Sequence, residues 1–537
     1  MSVSRRLFMA SALIGAAGAA VGTRPLFAQP KVAGAKRLTL LHLTDMHAQL
    51  ETHPEYLPGQ YPSFRQMGGF ARLKTAVDRE RADAAGPSFL LDGGDEFQGS
   101  GAAAWSQGGV MLEPLNALGI DSFVPGNWEP VYGPERMMEL MRKLDTSVIA
   151  YNFHNSDTGE RLFKPAITIE RDGVRVAFVG LTDVTTTVRQ PPAQVKGMDS
   201  TRINGLRDFV KELRAKERPD LVVGVAHMGL TVTRQMAREI PEFDVILSGH
   251  THERTEKPIL EGHVIVVEAG SMGSFLGRLD LTLKPGGGVA THDFRLIPIT
   301  ADAYPEDAKV KRVVDEALRP HRARLNEVVC RTETPILRYD VLETSADNLI
   351  AEVVRDAAGA DMGFTNGFRF GLPILAGAVT VGDLWNLLPL DARMKVGKVT
   401  GRQLREYLEN ELELVYSKDP WKLSGGWGPR ASGMTMTYSA KAPPGKRLIS
   451  VKVNGQEVED DRLYTMAGCE RDGEPLDVIC RLRGTREAKV LPETVHAALL
   501  KYFKTNPVVA PKRDGRAVAV DLPREILSLD EVLSAQS

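Results

Sequence analysis

The N-terminal half of the chain predicts an α/β sandwich of buried strands, on two observations. Apolar, β-rich runs alternate with helical stretches, and those runs repeatedly end in Asp, Asn or His. Strands of that kind, packed between helices, collect their terminal side chains at one edge of the fold.

In chain order, RLTLLHLTD from Arg37 reads as a buried strand that carries its last residues to that edge. GGFARLKTAVDRERADA reads as a helix opened by Gly68 and Gly69, and PSFLLDGGD as a second strand. SFVPGN, an amphipathic helix from Pro134 to Leu144, VIAYN, VRVAFVGLTD and a helix through Phe209 to Ala215 follow, then DLVVGVAH, DVILSGH and HVIVVEAG. The charged stretch from Pro305 to Val329 has few turn signals apart from Pro320 and reads as a connecting helix. After Thr332 comes another α/β region, with helices from Ala346 to Ala358 and from Thr400 to Tyr416. A β-rich segment follows Met434, with an Asn-Gly hairpin turn in VNGQ at Val453. The expected divisions are an export signal over 1–28, a first domain over 36–302, a linker helix over 303–331 and a second domain over 332–525.

The opening SRRLFM, with Arg5 and Arg6, an Ala- and Gly-rich apolar run from Leu7 to Val21 and a small-residue stop near Ala28, reads as a cleaved twin-arginine signal. No stretch is long and apolar enough to predict a membrane span. Loss of the signal removes Arg5, Arg6 and Arg24 and no acid, so the formal charge goes from -2 to -5. A mildly acidic protein of this kind has no footprint for nucleic acid or an anionic membrane. Cys330, Cys469 and Cys480 are an odd number of thiols, none near the motifs below, and read as buried structural cysteines.

Five motifs at the apolar run ends carry the chemistry: LTDMH with Asp45 and His47, GGDEF with Asp95, GNWEP with Asn127, AHMG with His227, and GHTHE with His250 and His252. Carboxylate, amide and imidazole in this mixture suit a pair of hard or borderline divalent cations. Two such cations hold a bridging hydroxide and neutralise a tetrahedral oxyanion ester, so hydrolysis is the expected chemistry. Asp95, after Gly93 and Gly94, is the expected bridge. His42, His53, His154, His263, His292, His321 and His496 lack this pattern and read as packing or surface residues.

This order of motifs resembles the calcineurin-like metallophosphoesterases, and the whole length resembles their two-domain 5'-nucleotidase branch. NGFRFG at Asn366, VTVGDLWNLLP at Val379 and the Gly-rich stretch before SGM at Ser432 carry the likeness in the second domain. The resemblance implies a four-layered α/β/β/α metal domain, a helical linker and a substrate domain. It assigns one metal to Asp45, His47, Asp95 and His252, and the other to Asp95, Asn127, His227 and His250.

Two departures bear on the substrate. The branch typically reads GNHEFDYG, whose His and Asp form a dyad; here GNWEPVYG puts Trp128 and Val131 in those places. GCERDGEP from Gly468 also shows no aromatic base clamp. With GGWGPRASGM and the twin-arginine signal, these features resemble the SoxB-type thiosulfohydrolases. That resemblance implies a periplasmic enzyme with two Mn2+ ions, releasing sulfate from a cysteine S-thiosulfonate on the SoxYZ carrier protein; a monomer is the expected state, although nothing in the sequence dictates it. Arg369 and Arg430 are candidates to hold the sulfonate and the carrier arm, since guanidinium forks match tetrahedral oxyanions; a structural salt bridge serves either equally well. Trp128 either lines a channel or packs. The rival readings are a periplasmic 5'-nucleotidase or cyclic-nucleotide phosphodiesterase, and a catalytically silent binding protein.

Overall fold

The computed structural model describes residues 35–58, 63–367, 371–423 and 427–522. The expected export signal over 1–28 and Arg369 lie outside the described residues. Two six-stranded sheets stack face to face in the first domain. One runs, from edge to edge, Val289–Pro298, Phe275–Leu283, Arg37–Leu43, Ser88–Asp92, Ser122–Phe123, Ser147–Val148. The other runs Ile259–Glu261, Val264–Glu268, Val245–Ser248, Leu221–Ala226, Val174–Leu181, Ala166–Arg171. Four strands in each sheet are parallel neighbours, and the antiparallel partners lie outside them. Burial on both faces explains runs such as LVVGVA in Leu221–Ala226, where every residue is buried.

Leu38, Leu40, Phe89, Phe178, Val223 and Leu247 fill the space between the sheets. Helices cover the outer faces: Phe70–Ala82, Leu112–Leu118 and Pro134–Lys143 on the first, Leu206–Glu217 and Leu230–Glu239 on the second. The arrangement is the α/β/β/α sandwich the resemblance implies.

The connecting helix differs from expectation. It covers only Ala308–Leu318, capped by Asp307, and ends before Pro320, which cannot continue the ladder; a short turn Arg322–Leu325 follows. Val310, Val314 and Leu318 pack into the first domain, so the helix is an outer-layer element there and not a free strut. Val328–Thr332 is already a strand of the second domain, paired with Gly377–Thr380 and Val508–Val509.

The second domain is built on a five-stranded sheet in the order Trp427–Ser432, Met362–Gly367, Leu463–Cys469, Arg393–Thr400, Arg486–Thr494. Its helices start where the sequence supplies caps: Thr380 with Asp383 and Thr400 with Gln403 form reciprocal capping boxes. The expected hairpin turn has Asn454 and Gly455 at φ 50° and 79°. All three cysteines are free thiols, and burial pushes Cys469 up to about 11 and Cys480 up to about 12.

Indoles mark the boundary between the two domains. Trp105 of the first meets Trp385 of the second edge-on at 5.6 Å, and Trp421 of the second donates to Glu239 of the first at 3.4 Å. Trp128 packs with Val131 and Met272 against Leu372 of the second domain.

Candidate metal centre

Register puts the chain exits side by side. Leu43 pairs with Asp92, Asp92 with Phe123, Leu181 with Ala226, and Ala226 with Ser248, so the segments bearing Asp45, Asp95, Asn127, His227 and His250 leave the sheets at one edge. The loops then bend sharply. Asp45, His47, Asp95, His250 and His252 all have left-handed backbones, with φ from 46° to 83°. Such conformations cost L-residues about 1–3 kcal/mol each and persist where the surroundings dictate them, commonly at functional sites. Gly126 is required by proximity: a methyl group there would strike the Asp95 carboxylate and the His227 ring.

Asp45, His47 and His252 form one buried cluster, and Asp95, His227 and His250 a second. In the first, His47 Nε2 lies 3.1 Å from His252 Nε2, and His252 Nε2 is 3.2 Å from Asp45 Oδ1. In the second, His227 Nε2 lies 3.1 Å from Asp95 Oδ2 and 3.2 Å from Asn127 Oδ1. Asp95 Oδ2 is also 3.9 Å from His47 Nε2, so this carboxylate faces both clusters. Its Oδ1 accepts the main-chain N–H of Trp128 at 2.7 Å.

The donors fit cations. Asp45 Oδ1 is buried and accepts no hydrogen bond. His47 Nδ1 faces the Gln98 carbonyl at 3.1 Å and His227 Nδ1 the Gly93 carbonyl at 2.6 Å, so each ring donates from Nδ1 and turns its Nε2 lone pair into the centre. Lone pairs and carboxylate oxygens converging at these distances repel one another unless positive charge lies among them. The chain has a dinuclear metal centre.

The surrounding acids are buried and shifted. Burial opposes the charge on Asp45, yet His227, His252 and His47 outweigh it and hold the carboxyl well below its usual range. Burial, with His252 adding to it, lowers His47 to about 4. Burial also acts against a charged His227, but Asp95 and Asp45 raise it to about 10. Burial, then the neighbouring Asp95, lifts Glu129 to about 8. That carboxyl accepts the main-chain N–H groups of Asp95, Glu96 and Gly126 at 3.1, 2.8 and 2.6 Å and staples two ligand loops together. Glu268 does the same for the third loop, accepting from Ser248, Thr251 and the Glu253 N–H.

Beside the first cluster a cavity of about 490 Å³ opens between the domains, lined by His252, Arg254 and Met272 on one side and Arg338, Tyr339 and Leu372 on the other. Its size is that of a small-ligand cleft. Tyr339 donates to the His252 carbonyl at 3.4 Å.

All seven ligand residues expected from the motifs meet at this edge. Trp128 is 8% exposed and belongs to the apolar boundary cluster, alongside Val131. Arg430, expected at the substrate, is turned into its own domain: its guanidinium donates to the carbonyls of Asp340, at 2.7 Å, and Leu342, and is buried. Three of the histidines set aside hydrogen-bond internally through Nε2: His42 on the Ser248 carbonyl, His53 on that of Met272 and His496 on that of Leu388; His154 is buried. Sequence reasoning gave no role to Glu129 or Glu268. Glu129 at least stands inside the GNWE motif, whereas Glu268 ends a strand with no motif around it.

Residues 38–254 match the family described as calcineurin-like phosphoesterase, and residues 328–469 match the 5'-nucleotidase C-terminal domain. A curated relative, the trifunctional nucleotide phosphoesterase protein YfkN of Bacillus subtilis, is 25% identical over 540 residues, covering 90% of this chain; the chain spans only 35% of that protein's length. Among solved structures, the sulfate thiohydrolase SoxB of Thermus thermophilus superposes with a TM-score of 0.83 at 24% identity, over 91% of this chain and 98% of the other. A 5'-nucleotidase precursor from the same species superposes with a TM-score of 0.79 at 22% identity, over 91% and 100%. At these identities the likeness to the solved structures is one of fold.

Proposed function

We propose that this metal-dependent hydrolase, whose residues 38–254 match the calcineurin-like phosphoesterases and whose residues 328–469 match the 5'-nucleotidase C-terminal domain, hydrolyses a sulfur ester. The substrate on this reading is a cysteine S-thiosulfonate borne by the SoxYZ carrier protein, and the product is sulfate. The enzyme works in the periplasm with two manganese ions.

One observation supports this most. Where the nucleotidase branch carries its His and Asp dyad, Trp128 and Val131 lie in one apolar cluster with Met272 and Leu372, and neither of these two side chains is an acid that could protonate a leaving group. Expelling an alkoxide, whose conjugate acid resembles water at about 15.7, without a proton donor is slow. A thiol leaves as its anion far more readily, with a pKa of about 8.5. The seat of a general acid has been filled with hydrocarbon, which suits a sulfur leaving group.

When bound, the two cations supply positive charge for the oxyanion and lower the pKa of water toward neutrality. The chain's own residues do the rest. Asp95 is held by the Trp128 N–H, Asn127 presents its amide oxygen beside His227, and Glu129 fixes both loops. Water oxygen attacks the terminal sulfone sulfur, and the bond from that sulfur to the adjacent carrier sulfur breaks. Its electron pair leaves with the carrier persulfide, and sulfate plus two protons are released, with no oxidant or reductant. The SoxB fold neighbour is consistent with this, and the YfkN relative keeps nucleotide hydrolysis as the second reading. The deciding experiment measures sulfate from thiosulfonate-loaded SoxYZ and phosphate from AMP side by side, with manganese-loaded protein. Sulfate with negligible phosphate is expected; phosphate alone overturns the reading.

A further inference from the structure

Asp183 leaves the strand Val174–Leu181 two residues past its end, at the edge where His227 leaves its own strand, yet it joins neither ligand cluster. It accepts instead from the Thr185 N–H at 2.9 Å, from the Thr185 hydroxyl at 2.8 Å and from Arg189. The guanidinium it orients reaches the centre: Arg189 Nη2 is 3.2 Å from His250 Nε2. Arg189 Nε is buried with no hydrogen-bond partner.

This placement conflicts with His250 acting as a ligand unless something else is present. A neutral imidazole has one lone pair and one N–H. If Nε2 ligates a cation, its lone pair is taken; if Nδ1 ligates, Nε2 carries the proton. Either way His250 offers Arg189 no acceptor once the centre is loaded, and a guanidinium cation then stands beside a dication with its inward N–H groups unsatisfied. An anion between them resolves both the charge and the hydrogen bonding.

The neighbouring chain holds Arg189 in place. Gln190 Nε2 donates to the Asn127 carbonyl at 2.6 Å, tying this segment to another ligand. From the second domain, Arg471 donates to the Arg189 carbonyl, and the Asp472 carbonyl accepts the Ala193 N–H at 3.4 Å. Arg471 is itself paired with Glu474 at 2.7 Å. The GCERDGEP segment, which lacks a base clamp, therefore braces the Arg189 loop.

We propose that Arg189 is an oxyanion-binding residue of the metal centre, donating to the tetrahedral sulfonate or phosphoryl group of the substrate, and that Arg471 is its positioning residue. The inference rests on reading the centre as a hydrolase of tetrahedral oxyanions, but not on which ester it turns over. The test is calorimetry of inorganic sulfate and orthophosphate binding to the manganese-loaded protein, with metal content measured on the same samples. Arg189→Gln is expected to weaken both anions by about 10- to 100-fold with both metals retained. Arg189→Lys falls in between, since it keeps charge and loses the fork, and Arg471→Gln weakens them by less than about tenfold. Unchanged affinity in Arg189→Gln overturns the proposal, as does the absence of saturable anion binding in the wild type. Loss of metal in Arg189→Gln and Arg189→Lys alike also overturns it, because Arg189 would then be a support for His250. If the anion result holds while the release assay yields only phosphate, the sulfur reading fails and this one stands.

Discussion

The two halves of the metal centre are built alike and surrounded differently. Around Asp45, His47 and His252 the partners come almost wholly from the first domain: Thr44 and the His250 N–H on Asp45, the Gln98 carbonyl on His47. Around Asp95, Asn127, His227 and His250 stand Trp128 and Arg189, and each of these is backed by the second domain, through Leu372 and Arg471. The contrast teaches that the second domain meets the two halves differently: at the first through the cavity beside His252 and Tyr339 on the His252 carbonyl, at the second through Leu372 and Arg471, which back Trp128 and Arg189.

The strongest way to break this comparison is to remove the group the halves share. Asp95→Ala should lower turnover by about 10³-fold or more and leave fewer than two metals per chain, with the far-ultraviolet circular dichroism unchanged. Full activity in that variant would end the dinuclear account.

Glu129→Gln comes next. It weakens the clasp on three main-chain N–H groups and should lower metal affinity by about 10- to 100-fold, chiefly at the half containing Asp95. Equal loss at both halves, measured by metal titration, would erase the distinction drawn here.

Proton release sharpens the comparison further. His227 has its folded pKa raised to about 10, above an unfolded value of about 6.5. In the metal-free protein its contribution to stability is therefore complete below pH 6.5 and is lost as pH rises through 10. His47, lowered to about 4, has the opposite sign: its contribution is present above pH 6.5 and lost as pH falls through 4. At pH 7–8 a cation at the His227 half must displace about one proton, and a cation at the His47 half displaces none from that ring. Calorimetric titration in buffers of different ionisation enthalpy reads the two events. Proton release at neither step would contradict the assignment.

The smallest effect is expected from Trp128→His. Val131 stays apolar and no base clamp is added, so AMP hydrolysis should rise by less than about tenfold, well under what a working general acid contributes. A nucleotidase created by that one change would show that the apolar cluster matters less than argued.

The candidate ligands were legible in the sequence because buried parallel strands leave only their ends for chemistry, and those ends carried Asp, Asn and His, which the fold brings together. The sandwich was legible for the same reason. Other parts were not, because long-range contacts decide them. Arg189 sits six residues beyond Asp183 in a stretch with no motif, and its position depends on Arg471, 282 residues away. Arg430 read equally as an oxyanion fork or as a structural partner, and the carbonyls of Asp340 and Leu342, 90 and 88 residues away in sequence, decide for the second. The linker read as one helix since charge patterning cannot show that Val310, Val314 and Leu318 find a groove in the first domain, or that Val328 begins a strand.

The indoles at the domain boundary give this enzyme a built-in spectroscopic probe of that boundary. Of its five tryptophans, four, Trp105, Trp128, Trp385 and Trp421, touch across that boundary or pack at it. Its emission spectrum is therefore weighted toward that boundary, and a shift to longer wavelength on adding a ligand would show those indoles becoming exposed to water.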